Sequence, residues 1–244
     1  MNRMLGRIAP TAEQKRAVPR LNDYLTRPLP AAPPTCNNTE GAQIAMFGND
    51  RYGCCTISAL ANYDAICSSR EGVPLTVTDA EVIKAYLALT GGKDEGAAET
   101  HVLTHARSLG FDFGGPDPWK LATFLSVPLR NTSACKSLIS IFNGLYLGAS
   151  LPVAAQSQSV WKTPASLLGD NAPGSWGGHA LLWGNYDETN EIELVTWGSL
   201  QRAEYGWLSA YCDEAYVLLD AQRAEMIGVD WDALLADLRS VPHT

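Results

Sequence analysis

An α+β fold is predicted by a change in hydrophobic pattern along the chain. Runs with helical spacing lie between Cys55 and Phe142, whereas short β-favouring runs separated by turn residues fill the chain from Leu145 onward. Helices first and strands afterwards pack as two halves, and a cleft between them is a natural site. The 244 residues, 46% hydrophobic and 18% charged, suffice for one substantial core and do not require two.

Residues 1–40 carry Pro10, Pro19, Pro28, Pro30, Pro33 and Pro34 with little apolar periodicity, which predicts an extended proline-rich arm with little regular structure. Such an arm is held by contacts, either along its own domain or along a neighbouring subunit. The main domain is expected over 41–222. Within it, CTISALANYDAICSS from Cys55 to Ser69 has no Gly or Pro and is apolar or small around most of its circumference, as in a buried helix. Thr78-Asp79-Ala80-Glu81 is a capping box opening a second helix through Val82, Ile83, Tyr86 and Leu89, which Gly91 and Gly92 end. A third helix is expected from about Ala97 to Leu109, stopped by Gly110, and a fourth from Ser133 to Phe142. LYLGASLPVAA from Leu145, GHALLWGNYD from Gly178, EIELVTWG from Glu191 and EAYVLLD from Glu214 read as strands of an antiparallel sheet, partly or fully rolled. A helix near Trp231 to Leu238 lies in a C-terminal extension, 223–244.

A formal net charge of -8 opposes nucleic acid binding. No apolar run approaches the roughly 20 residues that span a bilayer, and the first residues lack the apolar stretch of a secretory signal. A cytoplasmic location, or one inside an assembled particle, is expected, without membrane association. Cys36, Cys54, Cys55, Cys67, Cys135 and Cys212 have neither zinc-site spacing nor the density of a disulfide scaffold, which suggests reduced thiols.

Two fragments carry chemistry. In GNDRYGCCTISALANY, a glycine-bearing loop leads into a helix headed by Cys55, where free amide N–H groups and the helix dipole are expected to lower a thiol's pKa. The alternative is a cysteine that packs under the helix. In GSWGGHALLWGNYD, His179 follows two glycines at the start of a strand; a neutral imidazole there could take a thiol's proton and return it to a leaving group, or be purely structural. His101 and His105 share a helix face near Asp94 and Glu99, but their spacing lacks a zinc-hydrolase signature, and a solvated face is the simpler reading. Trp176, Trp183, Trp197 and Trp207 suit core packing or a cleft wall. No metal or organic cofactor is implied.

The order of a Cys-headed helix, two further helices with a Gly-Gly turn, and a sheet bearing Gly-His-Ala and then Trp-Gly resembles the papain-like cysteine peptidase superfamily, as a distant member of bacterial or phage type. The resemblance covers roughly 45–220, including TDAEVIKAYLALTGG and Leu109 to Phe111. It implies a helical half led by the Cys-headed helix, packed on a C-terminal antiparallel sheet or partial barrel. It further implies an oxyanion-binding amide six residues before the nucleophile; that position is Asn49 if Cys55 is the nucleophile, which favours Cys55 over Cys54. Losing one such donor typically costs about 3 kcal/mol of transition-state stabilisation. The family orients its histidine with an Asn in Asn-Ser-Trp-Gly, where this chain reads Val195-Thr196-Trp197-Gly198. Valine cannot hydrogen-bond an imidazole, so Thr196 becomes an accessory candidate if the register slips, and Trp197 a shield for the site. Cys54 is either a small residue facing away from the cleft or a redox lock on its neighbour.

Two functions follow as expectations. One is a thiol hydrolase, a cysteine peptidase or amidase acting on peptide or protein with Cys55, His179 and Asn49, the arm before Gly41 covering its cleft like a propeptide. The other is a catalytically weak or inactive papain-fold structural or binding subunit of a larger assembly such as a phage particle, its arm touching other subunits. An open groove leading to Cys55 favours the first; a groove filled by the arm or a neighbour favours the second.

Overall fold

The computed structural model describes residues 3–73, 76–115, 117–189, 191–219 and 227–240. The boundary expected at 222/223 and Asp220, the end of the last β-favouring run, lie outside them. The centre is a sheet whose strands run β4 (Thr123–Ser126), β10 (Cys212–Leu219), β5 (Leu145–Leu151), β7 (Gly177–Tyr186), β8 (Glu191–Thr196), β9 (Ser199–Glu204) and β6 (Val160–Trp161), with β2 (Cys36–Asn37) also paired to β7. Neighbours are antiparallel except β6, which joins β9 in parallel at one edge. The architecture is α+β, as the sequence predicts. β9, with the polar sequence SLQRAE, and the short β4 and β6 lack the apolar alternation that reveals the other strands.

The sheet is covered on both faces, which is why its strands read as nearly continuous apolar runs. Leu181 and Trp183 of β7, and Ala215, Val217 and Leu219 of β10, enter one core; Ala180 and Leu182, and Tyr216 and Leu218, enter the other. This is the two-residue period of a strand buried on both sides. Helix α5 (Thr132–Phe142) and α6 (Tyr205–Tyr211) contribute to the first core, while α2 (Cys55–Arg70), α3 (Asp79–Leu89) and α4 (Glu99–Ser108) form the second. Helix α2 is buried along its length from Cys55 to Ile66, and is tied down where the Tyr63 hydroxyl donates to the Phe142 carbonyl and the Tyr146 hydroxyl to the Thr56 carbonyl. The capping box of α3 forms with Thr78 and Glu81. The third predicted helix begins two residues late, because Ala97–Ala98 instead form a short strand, β3, paired with the arm.

The N-terminal arm lies along its own domain. It also has more regular structure than its prolines suggest: β1 (Arg7–Ile8), α1 (Ala12–Ala17) with a Thr11/Gln14 capping box, a 3-10 turn at Leu21–Asp23, and β2. Leu21 is fully enclosed in the first core, and the Tyr24 hydroxyl donates to Asp237 on the last helix, α7 (Trp231–Ser240). Asn38 donates through Nδ2 to the carbonyls of Ile139 and Gly184, joining the arm to α5 and β7. Leu21→Ala is expected to lower unfolding free energy by about 2–5 kcal/mol, as for a core leucine. Denaturant unfolding checks this; an arm merely laid on the surface would leave the midpoint unchanged.

Candidate functional site

Cys55 opens α2 and His179 sits near the start of β7, so the packing of that helix on the sheet brings the two to one place. They line the same small cavity, about 10 Å³, with Asn49, Val195, Thr196 and Trp197. The His179 ring is fully buried; its Nε2 lies 2.7 Å from Thr196 Oγ1, and its Nδ1 has no hydrogen-bond partner. Thr196, not Val195, therefore holds the imidazole. Trp197 stacks on it with centroids 4.0 Å apart and planes 16° apart, and Trp176 packs against Trp197 at 5.3 Å. Trp197 reaches this position with a positive φ of 45°, leading into Gly198 at 68° in a tight β8–β9 turn. Of the four tryptophans singled out, Trp197 lines the site with Trp176 packed against it, while Trp183 and Trp207 are core.

Asn49 lines the same cavity as Cys55, with Nδ2 donating to the Tyr52 carbonyl at 3.0 Å. Cys54 is turned away from the cavity and wholly buried, its sulfur 3.3 Å from Ser58 Oγ and 3.6 Å from the Phe47 carbonyl. His105 stacks on Phe111. Asp94, taken above as a neighbour of His101 and His105, instead accepts from the Tyr86 hydroxyl and the Gly53 amide. Among the described residues no group of three or more His, Cys, Asp or Glu is placed to hold a metal ion.

The expectation of a lowered thiol pKa at Cys55 is overturned in this conformation. Burial pushes the thiol from 9.0 up to about 12, outweighing the backbone amides of Ala180 and Gly6 that contact it. Burial likewise lowers His179 from 6.5 to about 3, helped by the positive charges of Arg3 and Arg7. Helix dipole effects are of order 1 kcal/mol and cannot offset full removal from water.

The water is excluded by the arm, which runs through the cleft. Met4 N–H donates to the Asn49 carbonyl at 3.0 Å, Trp197 Nε1 donates to the Met4 carbonyl at 3.1 Å, and Ala97 N–H donates to the Gly6 carbonyl at 2.9 Å. Strand β1 thus pairs in parallel with β3. The slot is walled by glycines: a Cβ at Gly53 or Gly96 would collide with the arm's backbone on one side, and at Gly178 with the Arg7 carbonyl on the other. On the arm, a Cβ at Gly6 would overlap the Gly53 carbonyl. That the arm fills the groove is one of the expectations drawn from the sequence; its path and the glycine walls were not visible there, since the pairing joins segments about 90 residues apart with no periodic signal.

Gly6→Ala is therefore expected to drive the arm out of the slot. The amides of Met4 and Ala97 would lose protection at least tenfold in hydrogen exchange read by mass spectrometry, with β5 and β7 amides unchanged; unchanged protection at Met4 would contradict the steric argument.

Neither the protein-family models nor the curated proteins searched match this sequence. The fold does match solved structures. Xylellain, a cysteine protease from Xylella fastidiosa, superposes with a TM-score of 0.64 over 89% of this chain and 97% of its own, at 16% identity. Digestive procathepsin L 3 of Tenebrio molitor larval midgut gives 0.56 over 90% and 76%, at 10% identity. The Carica candamarcensis cysteine protease CMS1MS2, solved in complex with E-64, gives 0.55 over 77% and 99%, at 13% identity. With a cysteine-headed helix packed on a histidine-bearing sheet, this chain has the fold of the papain-like cysteine proteases.

Proposed function

We propose that the chain is a latent papain-like thiol hydrolase, a cysteine peptidase or amidase, covered by its own N-terminal arm. One observation carries this reading: His179 is held through Nε2 by Thr196 while Nδ1 is unpaired, in the cavity that Cys55 lines. With Nε2–H donated to Thr196, the Nδ1 lone pair is available for the thiol proton. Cys55 Sγ would attack the carbonyl carbon, Asn49 Nδ2 and the Cys55 N–H would receive the oxyanion, and the protonated His179 would return its proton to the leaving amine. Water would then resolve the acyl-thioester. Asn49 Nδ2 gives one N–H to the Tyr52 carbonyl and has a second to donate.

A groove filled by the arm or a neighbour was the expectation attached to a purely structural module, and an arm covering the cleft like a propeptide was the one attached to the hydrolase. The arm is laid against glycines that admit a peptide backbone, and beneath it the histidine keeps its orienting bond. An inactive module has no need of that bond, so the covered hydrolase is favoured.

Latency follows from the pKa values. In the covered state His179 stays neutral down to about pH 3, whereas an exposed imidazole protonates near 6.5. Between these values the open state binds more protons, so closure is at full strength above about pH 6.5 and weakens as pH falls, by up to about 1.4 kcal/mol per unit. The raised Cys55 thiol adds the opposite limit: closure weakens again as pH rises past the ordinary thiol range. Casein hydrolysis by the native chain, divided by that of Gly6→Ala, is thus expected to rise as pH drops from 7 to 5. A ratio that stays flat would contradict arm-controlled latency.

Within Gly6→Ala, Cys55→Ser is expected to remove hydrolysis, His179→Ala to reduce kcat/KM by at least a hundredfold, and Thr196→Val to reduce it by about tenfold. Retained activity in Cys55→Ser would overturn the assignment.

A further inference from the structure

The Arg7 side chain is swallowed by the protein. Its guanidinium donates to Asp213 and Glu214 on β10 and lies 3.6 Å from Glu99 at the head of α4. The side chains of Arg7 and Glu99 have no exposed surface and that of Glu214 has 1%, whereas Asp213, 33% exposed, stands at the mouth. The pocket is built from outside the arm. Glu214 is fixed by the Tyr216 hydroxyl, which donates to its other oxygen, and Asp213 receives a hydrogen bond from Ser150 at 3.3 Å. Gly148 on β5 forms the floor, where a Cβ would strike both the Arg7 guanidinium and the Glu99 carboxyl. The Glu99 carboxyl is fully buried against Arg7 and Glu214.

Three acidic side chains around one cation exceed what a structural ion pair needs. With the arm displaced the Asp213 and Glu214 carboxylates, and the Glu99 carboxyl that burial and Glu214 hold toward its neutral form, would line an acidic recess with no counter-ion. Its place in the cleft is fixed by the neighbouring residue: the Gly6 backbone contacts the Cys55 thiol and pairs with Ala97, and the Arg7 carbonyl abuts Gly178, next to His179. The recess therefore takes a side chain adjacent to the residue at the nucleophile.

We infer that this recess is the substrate specificity pocket of the hydrolase proposed above, and that it selects peptides with an arginine within two residues of the scissile bond, the side chain that Arg7 now imitates. This rests on the hydrolase reading. The glycine walls accept any peptide backbone, so discrimination falls to the recess. Arginine suits it better than lysine, because a planar guanidinium can donate to two carboxylates at once and is less costly to desolvate.

The test uses the full-length chain carrying Arg7→Ala, incubated with internally quenched hexapeptides that differ at one position in turn by arginine, citrulline, leucine or glutamate, with cleavage sites read by mass spectrometry. Citrulline keeps the shape of arginine without its charge. At one position within two residues of the cut, arginine is expected to exceed citrulline and leucine at least tenfold, and adding Glu214→Gln is expected to shrink that preference. Equal rates for arginine and citrulline, or a preference for leucine, would overturn the inference while leaving the hydrolase standing. No cleavage of any peptide also overturns it, and iodoacetamide labelling of Cys55 in the same sample then shows whether the hydrolase reading falls with it. Should Arg7→Ala fail to fold, Gly6→Ala, which displaces the arm and leaves the acidic residues unchanged, is read in the same way.

Discussion

The burial of Arg7 among Glu99, Asp213 and Glu214 is the interaction on which the covered state depends. A buried guanidinium is tolerated only when paired, and three buried or half-buried carboxylates are tolerated only when a cation meets them. Burial and the neighbouring Glu214 drive the Glu99 pKa well above its ordinary value, and Arg7 opposes that rise. Removing either partner would strand the other, so the arm and the cleft are held together by mutual need rather than by apolar area. The backbone bonds of Met4, Gly6 and Ala97 add direction to this anchor and fix the arm in register. Beyond the cleft the arm enters the first core at Leu21 and pairs with β7 at Cys36 and Asn37. Its near end can therefore leave the slot while its far end stays part of the fold.

The same cover explains the electrostatics of the site. A thiolate and an imidazolium need water or each other, and beneath the arm the protein offers them a cavity of about 10 Å³. Both groups consequently rest neutral, Cys55 with a raised pKa and His179 with a lowered one. The shift arises from desolvation first, and desolvation is what arm departure reverses. Geometry is meanwhile preserved through Thr196, at the end of β8, which bonds the imidazole; Trp197, in the turn after it, stacks on the ring and also donates to the arm at Met4.

Much of this was legible in the sequence, and for identifiable reasons. Helix α2 announced itself by a Gly- and Pro-free apolar stretch after a glycine loop, α3 by its capping box, and β5, β7 and β10 by apolar runs that a doubly covered sheet demands. Cys55 and His179 were candidates from their local sequence, and Asn49 from the family resemblance; the fold brings the three to one cavity. Thr196 was half legible: the residue was on the correct strand, but whether Val195 or Thr196 faces the imidazole depends on strand register and the turn at Trp197, which are tertiary facts. Arg7 was illegible, since nothing near it in sequence indicates that Glu99 and Glu214 close around it. The arm's regular structure was obscured by its prolines, although Thr11 and Gln14 already stood at capping-box spacing. The sign of the Cys55 shift was misjudged because a helix N-terminus is visible in sequence and the depth of burial at its first residue is not.

The measurement that bears most directly on this account is the rate of Cys55 alkylation by iodoacetamide as a function of pH, in Gly6→Ala and in Gly6→Ala with His179→Ala. An activated pair uncovered by displacing the arm predicts rapid labelling well below pH 8 in the first chain, collapsing to an ordinary thiol profile in the second. Identical, ordinary thiol profiles in the two chains would contradict it and leave a papain-like fold without a working nucleophile.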